Sequence, residues 1–396
     1  MQGLQELVNL SELEKAKLGI SATAQEIAQQ PQTWRGTRKI FEQHAHPLRT
    51  FLEAAGVTGP LEQRPTVVLT GAGTSDYIGQ TLTLLLRTEW GCETQAIAST
   101  DLLTNMADYL VPGRRYLMIS FSRSGDSPEG VAVLKQALEN YPEIVQLVVT
   151  CNQRATMAEL VRGRVSTYVV VLDDKVNDRG LAMTSSFSNM VLFGQCIAHA
   201  WSDAAYVPVY ESVIRAGEVF LPLADETARD LAEKKYSRVC VLGSGALAGV
   251  ARESALKVLE MTAGRIKTMA ESVLGLRHGP MAALDKETLL LCFASSDERR
   301  QKYEADLLEE VGKKEIVAQR VVVGPVGSSR LSECSERYLF IEGSIPDLYR
   351  PPVDVMLGQL LGLYSSLAHG LKPDAPSPHG VISRVVGEFR IYEKSE

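Results

Sequence analysis

The sequence predicts an α/β protein made of two similar units, each a parallel sheet with helices on both faces. Short apolar segments with strand character recur between longer stretches with helix character, and this alternation is typical of doubly wound sheets. The same alternation returns in the C-terminal half. With 396 residues, of which 45% are hydrophobic, the chain is long enough to bury two cores.

The predicted strands fall into two groups. In the first group they cover residues 67–70, 95–98, 116–121, 145–150 and 168–172. In the second group they cover residues 239–242, 288–293, 320–323 and 338–341. We expect the boundary around residues 208–225. The predicted organisation is a helical N-terminal arm (1–44), a first unit (45–215), a second unit (216–371) and a C-terminal tail (372–396).

Two loops in the first unit carry the strongest functional signal. Residues 71–75 follow the first strand, and residues 122–127 follow the third. Each loop is rich in glycine and hydroxyl residues where a buried strand turns into a helix, so backbone N–H groups and hydroxyls converge on a small anion. Neither has the lysine of a P-loop or the third glycine of a dinucleotide fingerprint. We therefore predict a site for a sugar phosphate rather than for a nucleotide.

The second half has counterparts of both loops, at residues 243–246 and 294–297. The two loops of each half are separated by nearly the same number of positions, which suggests a duplicated unit. However, Ser244-Gly245-Ala246 lacks the hydroxyl pair, and Asp297 with Glu298 brings acid and bulk where the first unit has glycine. Crowding and repulsion there predict one phosphate site per chain.

The composition excludes several classes of protein. A net charge of −7 argues against nucleic-acid binding, which needs a basic face. The six cysteines are far apart and form no Cys-x-x-Cys pair, which predicts buried thiols in a reducing cytosol. No histidine set has metal-ligand spacing, so we expect no metal and no other cofactor. Without a signal peptide or a spanning apolar run, the sequence predicts a soluble, cytoplasmic protein.

A predicted helix over residues 251–262 carries the candidate chemistry. Glu253, Lys257 and Glu260 fall on one face of this helix, which aligns two carboxylates with a cation. The alternative is a solvated face with surface ion pairs. The other faces are apolar, which predicts a largely buried helix, and buried carboxylates are frequent at functional sites.

Three further features are candidates. His278 lies in Arg277-His278-Gly279-Pro280, where the Gly-Pro turn holds an imidazole at a loop tip; the alternative is an ordinary core or loop histidine. Thr184 and Ser185 either meet sugar hydroxyls or simply begin a helix as its N-cap. Arg123, within the second loop, either faces the phosphate or covers the site.

Together these segments resemble the sugar isomerase (SIS) family, in which two flavodoxin-like units are fused. The resemblance covers nearly everything after residue 45, and its function-bearing motifs are closest to the isomerase half of glucosamine-6-phosphate synthase. It implies that the sugar phosphate is held by Gly73, Thr74, Ser75, Ser122, Arg123, Ser124 and Ser127.

The same resemblance implies roles for the remaining candidates. The family's Glu-x-x-x-Lys-x-x-Glu helix falls on Glu253, Lys257 and Glu260, and the last glutamate moves a proton between C1 and C2 of the sugar. The family's His-Gly-Pro histidine falls on His278 and opens the sugar ring from a neighbouring subunit, which implies a homodimer or a homotetramer with shared sites. Arg384 stands approximately where the synthase has a C-terminal lysine.

Residues 271–280 and the tail pattern over residues 376–386 look most like the AgaS branch of this family. Only about 45 residues precede the first unit and no cysteine follows Met1, so we expect no glutaminase activity. The resemblance implies deamination of galactosamine 6-phosphate to tagatose 6-phosphate and ammonia. The alternatives are a tagatose-6-phosphate ketose/aldose isomerase and a non-catalytic sugar-phosphate sensor. The sugar configuration at C4 stays open.

Overall fold

The computed structural model describes residues 1–377, 380–387 and 389–392, so Pro378 and His379 of the tail pattern lie outside it. The first unit contains a five-stranded parallel sheet with the strand order β2-β1-β3-β4-β5. Its strands are β1 (Thr66–Thr70), β2 (Thr94–Ala96), β3 (Tyr116–Ser122), β4 (Val145–Thr150) and β5 (Thr167–Val171).

The second unit contains another five-stranded parallel sheet, with the order β10-β9-β8-β6-β7. Its strands are β6 (Arg238–Gly243), β7 (Lys267–Glu271), β8 (Thr288–Phe293), β9 (Gln319–Pro325) and β10 (Arg337–Ile341). Read from the opposite edge, this is the same order as in the first sheet, and it is the order of flavodoxin-like folds. The predicted fold class is confirmed.

Helices connect the strands and cover the sheets. They are α1 (Leu4–Val8), α2 (Glu12–Leu18), α3 (Thr23–Ala28), α4 (Gln30–Ala54), α5 (Thr74–Trp90), α6 (Ser99–Tyr109), α7 (Pro128–Asn140), α8 (Thr156–Val161), α9 (Ser185–Ala198), α10 (Asp203–Glu233), α11 (Leu247–Met261), α12 (Glu298–Lys314), α13 (Ser329–Glu333) and α14 (Pro351–Ala368). Central strands such as β1, β3 and β8 are buried along their whole length, as expected of a parallel sheet covered on both faces.

The two units share one core. The largest cluster of buried apolar side chains includes Leu69 and Ile119 of the first sheet and also Val241 and Leu291 of the second. Helix α14 packs against both α10 and α11. The two units therefore bury part of their apolar surface against each other, because helices between the sheets pack together.

Two predicted domain boundaries fall inside helices. Helix α4 crosses the boundary between residues 44 and 45, and α10 crosses the boundary between 215 and 216. The stretch over residues 208–225, where the boundary was expected, lies within α10 together with its prolines Pro208 and Pro222. Long helices packed over much of their length can accommodate an internal proline, since tertiary contacts outweigh the local cost.

The N-terminal residues form part of the core rather than a detached arm. Leu7, Ile20, Ile27 and Trp34 are buried in the shared core, and α4 packs against α9. Trp34 Nε1 also donates a hydrogen bond to Ser188 Oγ at 2.9 Å. The first helices therefore contribute apolar contacts that hold the first unit together.

The close packing of Trp34 gives a stability prediction. A Cβ added at Gly217 of α10 lies only 2.4 Å from the buried Trp34 ring, whereas one added at Gly36 of α4 meets nothing within 4 Å. We expect Gly217→Ala to destabilise the protein by about 1–3 kcal/mol through overpacking. Gly36→Ala is the matched control and should be neutral or stabilising by up to about 1 kcal/mol. Urea unfolding of both variants measures this; equal stabilities would contradict the packing described here.

Two composition-based predictions can be compared with the fold. All six cysteines are buried and free of disulfide bonds, as predicted. Among the helices of the described residues, none combines the length and apolar character needed to cross a bilayer.

Candidate active site

The first predicted phosphate loop begins where β1 ends. Position 71 requires glycine because the backbone of Ser75 lies very close to it: a Cβ at Gly71 would be 2.6 Å from the carbonyl carbon of Ser75. Gly73 has a φ of +57°, in the left-handed region that favours glycine. The chain then enters α5 at Thr74, so the free N–H groups and positive dipole end of a long helix point into the loop.

The second predicted loop follows β3 and is shaped by its own serines. Ser122 Oγ accepts a hydrogen bond from the Gly125 amide at 3.0 Å, and Ser124 Oγ accepts one from the Asp126 amide at 3.2 Å. Gly125 has a φ of +64°, and a Cβ there would lie 2.3 Å from Ala155 Cβ. Helix α7 then begins directly after Ser127.

The structure brings the two loops together around one small cavity. Gly71 of the first loop and Ser122 with Ser127 of the second contribute to its lining. Three lining hydroxyls were missed by the sequence analysis, that of Ser120 and those of Thr70 and Ser99. The hydroxyls of Thr70 and Ser99 are buried and have no hydrogen-bond partner among the described residues. Ser99 begins α6 after β2, so its place at the C-terminal edge of the same sheet was the available signal.

The predicted face of α11 is confirmed. Lys257 Nζ lies 2.6 Å from Glu260 Oε2 and 3.4 Å from Glu253 Oε1. The Lys257 and Glu253 side chains are fully buried, whereas the Glu260 side chain is 25% exposed. A fully solvated face is therefore excluded, and of the two carboxylates only that of Glu260 is partly exposed.

One hydrogen bond joins this helix to the first phosphate loop. Lys257 Nζ donates to Thr74 Oγ1 at 3.0 Å, across the interface between the two units. Helices α5 and α11 pack closely here, since a Cβ at Gly249 would lie 3.0 Å from the Thr81 backbone nitrogen. Lys257 therefore connects Glu260, the candidate for proton transfer, with the first of the two predicted phosphate loops.

Burial tunes the charges on α11. Burial raises the pKa of Glu253 to about 8, opposed by the positive charge of Lys257. Burial lowers the pKa of Lys257, but the two glutamates outweigh this effect and leave that pKa above its ordinary value. Lys257 therefore keeps its positive charge beside Glu260. Neither carboxylate oxygen of Glu253 has a hydrogen-bond partner among the described residues.

The environment of Arg123 favours the second of the two alternatives predicted for it, that of covering the site. Its guanidinium is buried and donates to the carbonyl oxygens of Gly180, Leu181 and Arg384 at 3.3, 3.1 and 2.6 Å. Because its terminal nitrogens are engaged by backbone carbonyls, the structure favours a role in holding segments together over a direct phosphate contact.

Thr184 and Ser185 are fully buried and satisfied within the protein. Their backbone amides donate to the Asp178 carboxylate at 2.7 and 3.0 Å, and Ser185 Oγ donates to the Glu26 carbonyl oxygen. This corrects the expectation of contacts with sugar hydroxyls, because Asp178 caps the N-terminus of α9 and uses these groups. The alternative of a helix start is the one that the structure supports.

Glu26 lies beside this cap and gives a pH prediction. Its carboxylate accepts hydrogen bonds from the Arg179 and Gly180 amides, while burial, followed by the Asp178 charge, raises its pKa to about 8. Since the folded-state pKa is raised, the stabilising contribution is complete below the unfolded value near 4.5 and is lost as pH rises through about 8. The wild type should therefore lose about 1 kcal/mol more than Glu26→Gln between pH 7 and pH 9. Urea unfolding at both pH values measures the difference, and parallel losses would contradict it.

His278 lies on an exposed loop between two short 3-10 turns, Gly275–Arg277 and Pro280–Ala283. The neighbouring Arg277 donates to Glu310 Oε2 at 2.7 Å and so fastens the loop to α12. Within the described residues, no hydrogen bond joins the His278 imidazole to the Lys257 cluster of the same chain. The structure therefore presents this imidazole to the outside of the chain.

The predicted tail contact also takes a specific form. Arg384 Nε donates to the Asp178 carbonyl oxygen at 2.7 Å, and Arg384 Nη2 donates to Asn177 Oδ1 at 2.8 Å. The Arg384 side chain thus binds the loop before α9 instead of pointing freely toward a ligand.

The equivalent loop of the second unit is filled by a carboxylate. Asp347 Oδ1 accepts hydrogen bonds from the Ser296 amide at 2.6 Å and from Ser296 Oγ at 2.8 Å, and its other oxygen accepts one from Ser295 Oγ. Arg300 Nη1 lies 3.1 Å from the same carboxylate. An anion of the protein itself occupies this place, which supports the prediction of one phosphate site per chain.

Known proteins that are similar to this chain in sequence and structure are enzymes of sugar phosphates. The chain is 34% identical over 378 residues to D-galactosamine-6-phosphate deaminase AgaS of Escherichia coli, covering 92% of this chain and 94% of that protein. The deaminase of the same name from Shewanella sp. strain ANA-3 is 33% identical over 391 residues, covering 97% and 95%. The solved tagatose-6-phosphate ketose/aldose isomerase of Escherichia coli superposes with a TM-score of 0.78 and 31% identity, over 90% of this chain and 95% of that one. No protein-family model matches the chain.

Proposed function

Because the chain belongs to the AgaS branch of the sugar isomerase (SIS) family, we propose that it deaminates galactosamine 6-phosphate to tagatose 6-phosphate and ammonia. The observation that carries the proposal is the position of Lys257, whose ammonium links Thr74 of a phosphate loop to Glu260. A base for the sugar carbons thereby lies beside the groups proposed to bind its phosphate.

The proposed binding step uses the loops of the first unit. Backbone N–H groups at the start of α5, with Thr74, Ser75, Ser122, Ser124 and Ser127, receive the phosphate, helped by the helix dipole. Of these five side chains, those of Ser122 and Ser127 line the cavity between the loops. The buried, unpartnered hydroxyls of Thr70 and Ser99 line the same cavity and are available as further donors.

The proposed chemistry begins once the sugar ring is open and C1 is an aldehyde. Glu260 takes the proton from C2, the electrons of that bond form a C1–C2 double bond, and the oxygen on C1 gains the charge that Lys257 stabilises. Glu260 then returns the proton to C1 while the nitrogen lone pair forms the C2=N bond, and one proton of the nitrogen passes to the C1 oxygen, which leaves an alcohol at C1 and an imine at C2. Water adds to the imine carbon and ammonia leaves, giving the C2 ketone of tagatose 6-phosphate.

We propose that ring opening is the task of His278 from a neighbouring subunit. The imidazole lies on an exposed loop, and the site on α11 of its own chain makes no hydrogen bond with it within the described residues. A homodimer is the smallest assembly that completes both sites in this arrangement, as the family resemblance implies.

The experiment that tests the proposal measures ammonia release from galactosamine 6-phosphate and from its C4 epimer, glucosamine 6-phosphate. We expect release from the galacto substrate, with a smaller rate or none from the gluco substrate. A simple isomerase remains the second candidate, since the structural neighbour from Escherichia coli carries that name. Interconversion of an aldose phosphate with tagatose 6-phosphate, without ammonia from either amino sugar, would favour that candidate.

A further inference from the structure

Arg123 lies where three segments far apart in the sequence meet. Its backbone belongs to the loop after β3, and its carbonyl oxygen accepts hydrogen bonds from the Cys151 amide at 3.2 Å and Thr150 Oγ1 at 3.3 Å. Its side chain reaches the loop before α9 through Gly180 and Leu181. The same guanidinium reaches the tail through the Arg384 carbonyl oxygen at 2.6 Å.

Arg384 of the tail contacts the same region, through both its backbone and its side chain. While its carbonyl oxygen receives Arg123, its own guanidinium binds the Asp178 carbonyl oxygen and the Asn177 side chain. Both arginine side chains therefore donate hydrogen bonds to the same loop, residues 177–181, and Arg123 also donates to the backbone of Arg384. The tail thus contacts both the loop before α9 and Arg123 of the loop over residues 122–127.

The loop that receives both arginines is held firmly. The Asp178 carboxylate accepts hydrogen bonds from the Thr184, Ser185 and Ser186 amides at the start of α9. The Glu26 carboxylate holds the next two amides, those of Arg179 and Gly180. Because the loop over residues 177–181 is held by these hydrogen bonds, a substitution of Arg123 should displace mainly the two other segments that it contacts, the phosphate loop and the tail.

We propose that Arg123 is a positioning residue that couples docking of the tail to phosphate binding by the loop over residues 122–127. The inference rests on the proposed function in taking that loop as the phosphate-binding loop. Without the Arg384 carbonyl, a buried guanidinium loses an acceptor and must find another, which displaces the loop residues on either side of it. Linkage requires the reverse effect as well, so bound phosphate must stabilise the docked tail.

Tail docking can be followed by chymotrypsin, since Phe389 and Tyr392 are exposed. We expect inorganic phosphate to slow cleavage of the wild-type tail, by about fivefold or more at saturation. Arg384→Met should be cleaved faster, and phosphate should no longer protect it. Arg390→Met is the matched control, because Arg390 lies over the Tyr392 ring, 4.8 Å from its centroid, and it should behave like wild type.

Enzyme kinetics then separates positioning from general stability. We expect Arg123→Met to raise KM for the sugar phosphate by about tenfold with little change in kcat, and Arg123→Lys to recover part of the loss. Arg115→Met is the control, because Arg115 lies at the other end of β3 and likewise donates to carbonyl oxygens, those of Ala54 and Ala55. It should lower stability without moving KM.

An unchanged KM in Arg123→Met, or phosphate protection of its tail equal to that of wild type, would overturn the inference. The protease experiment uses inorganic phosphate alone and needs no turnover. Its outcome therefore stands even if the protein releases no ammonia from any amino sugar, and failure of this inference is distinguishable from failure of the proposed function.

Discussion

Replacing Glu260 with glutamine is expected to reduce turnover by about 10²- to 10⁴-fold while substrate binding persists. The amide cannot take the C2 proton, but it still offers an oxygen to Lys257, whose ammonium lies 2.6 Å from the carboxylate. Because the Glu260 side chain is partly exposed and not part of the core, the free energy of unfolding should change by less than about 1 kcal/mol.

Glu12→Gln provides the control for Glu260→Gln. Glu12 also pairs with a lysine three positions away, Lys15, at 2.9 Å, but it lies in the exposed helix α2. Steady-state kinetics together with binding of a non-reacting sugar phosphate measures both variants. Wild-type turnover in Glu260→Gln would remove this residue from the reaction.

The second large effect is expected at Lys257, where activity and stability should fall together. Lys257→Met removes the cation that stabilises the developing charge on the substrate, which predicts a loss in kcat of about 10²- to 10³-fold. It also leaves Glu253 fully buried without its charged partner, which lies 3.4 Å away in the wild type. Because burial raises the pKa of Glu253 to about 8, most of this carboxyl is already protonated at pH 7, so the cost there should be about 1–2 kcal/mol rather than the roughly 3–5 kcal/mol typical of a buried pair broken while both groups are charged.

A double variant separates the two consequences. Glu253→Gln combined with Lys257→Met removes the carboxyl that Lys257 helps to ionise, so much of the stability lost at pH 9, where the pair is charged in the wild type, should return while kcat stays low. Thermal unfolding and kinetics on the two single variants and the double variant complete the cycle. If the double variant is no more stable than Lys257→Met, the buried pair is not the source of the loss.

The sequence was sufficient for the features that depend on local patterns. Alternation of apolar strands with helices predicted nine of the strands, and helical spacing placed Glu253, Lys257 and Glu260 on one face. Strand β7 was missed because Lys267–Glu271 lies at the edge of its sheet and is only partly buried, so it lacks a run of apolar residues. The sequence predicts a boundary over residues 208–225, although this stretch lies inside one helix, because the tertiary contacts of that helix are not visible in the sequence.

The features that depend on contacts between distant parts of the chain could not be predicted from the sequence. Asp178 takes up the amides of Thr184 and Ser185, and a local pattern does not distinguish this cap from a ligand contact. Arg123 meets Arg384 across 261 positions of the chain. Polar side chains in loops can satisfy one another instead of a ligand, and only the fold shows which of the two occurs.

The central claim is a proton transfer between C1 and C2 that ends in loss of the amine. The measurement that tests it most directly is a product analysis by NMR, with ammonia determined in parallel, after conversion of galactosamine 6-phosphate by the purified protein. The account predicts tagatose 6-phosphate and ammonia in equal amounts, with neither formed by Glu260→Gln. An aldose phosphate released with the ammonia would show direct displacement at C2, and it would contradict proton transfer by Glu260.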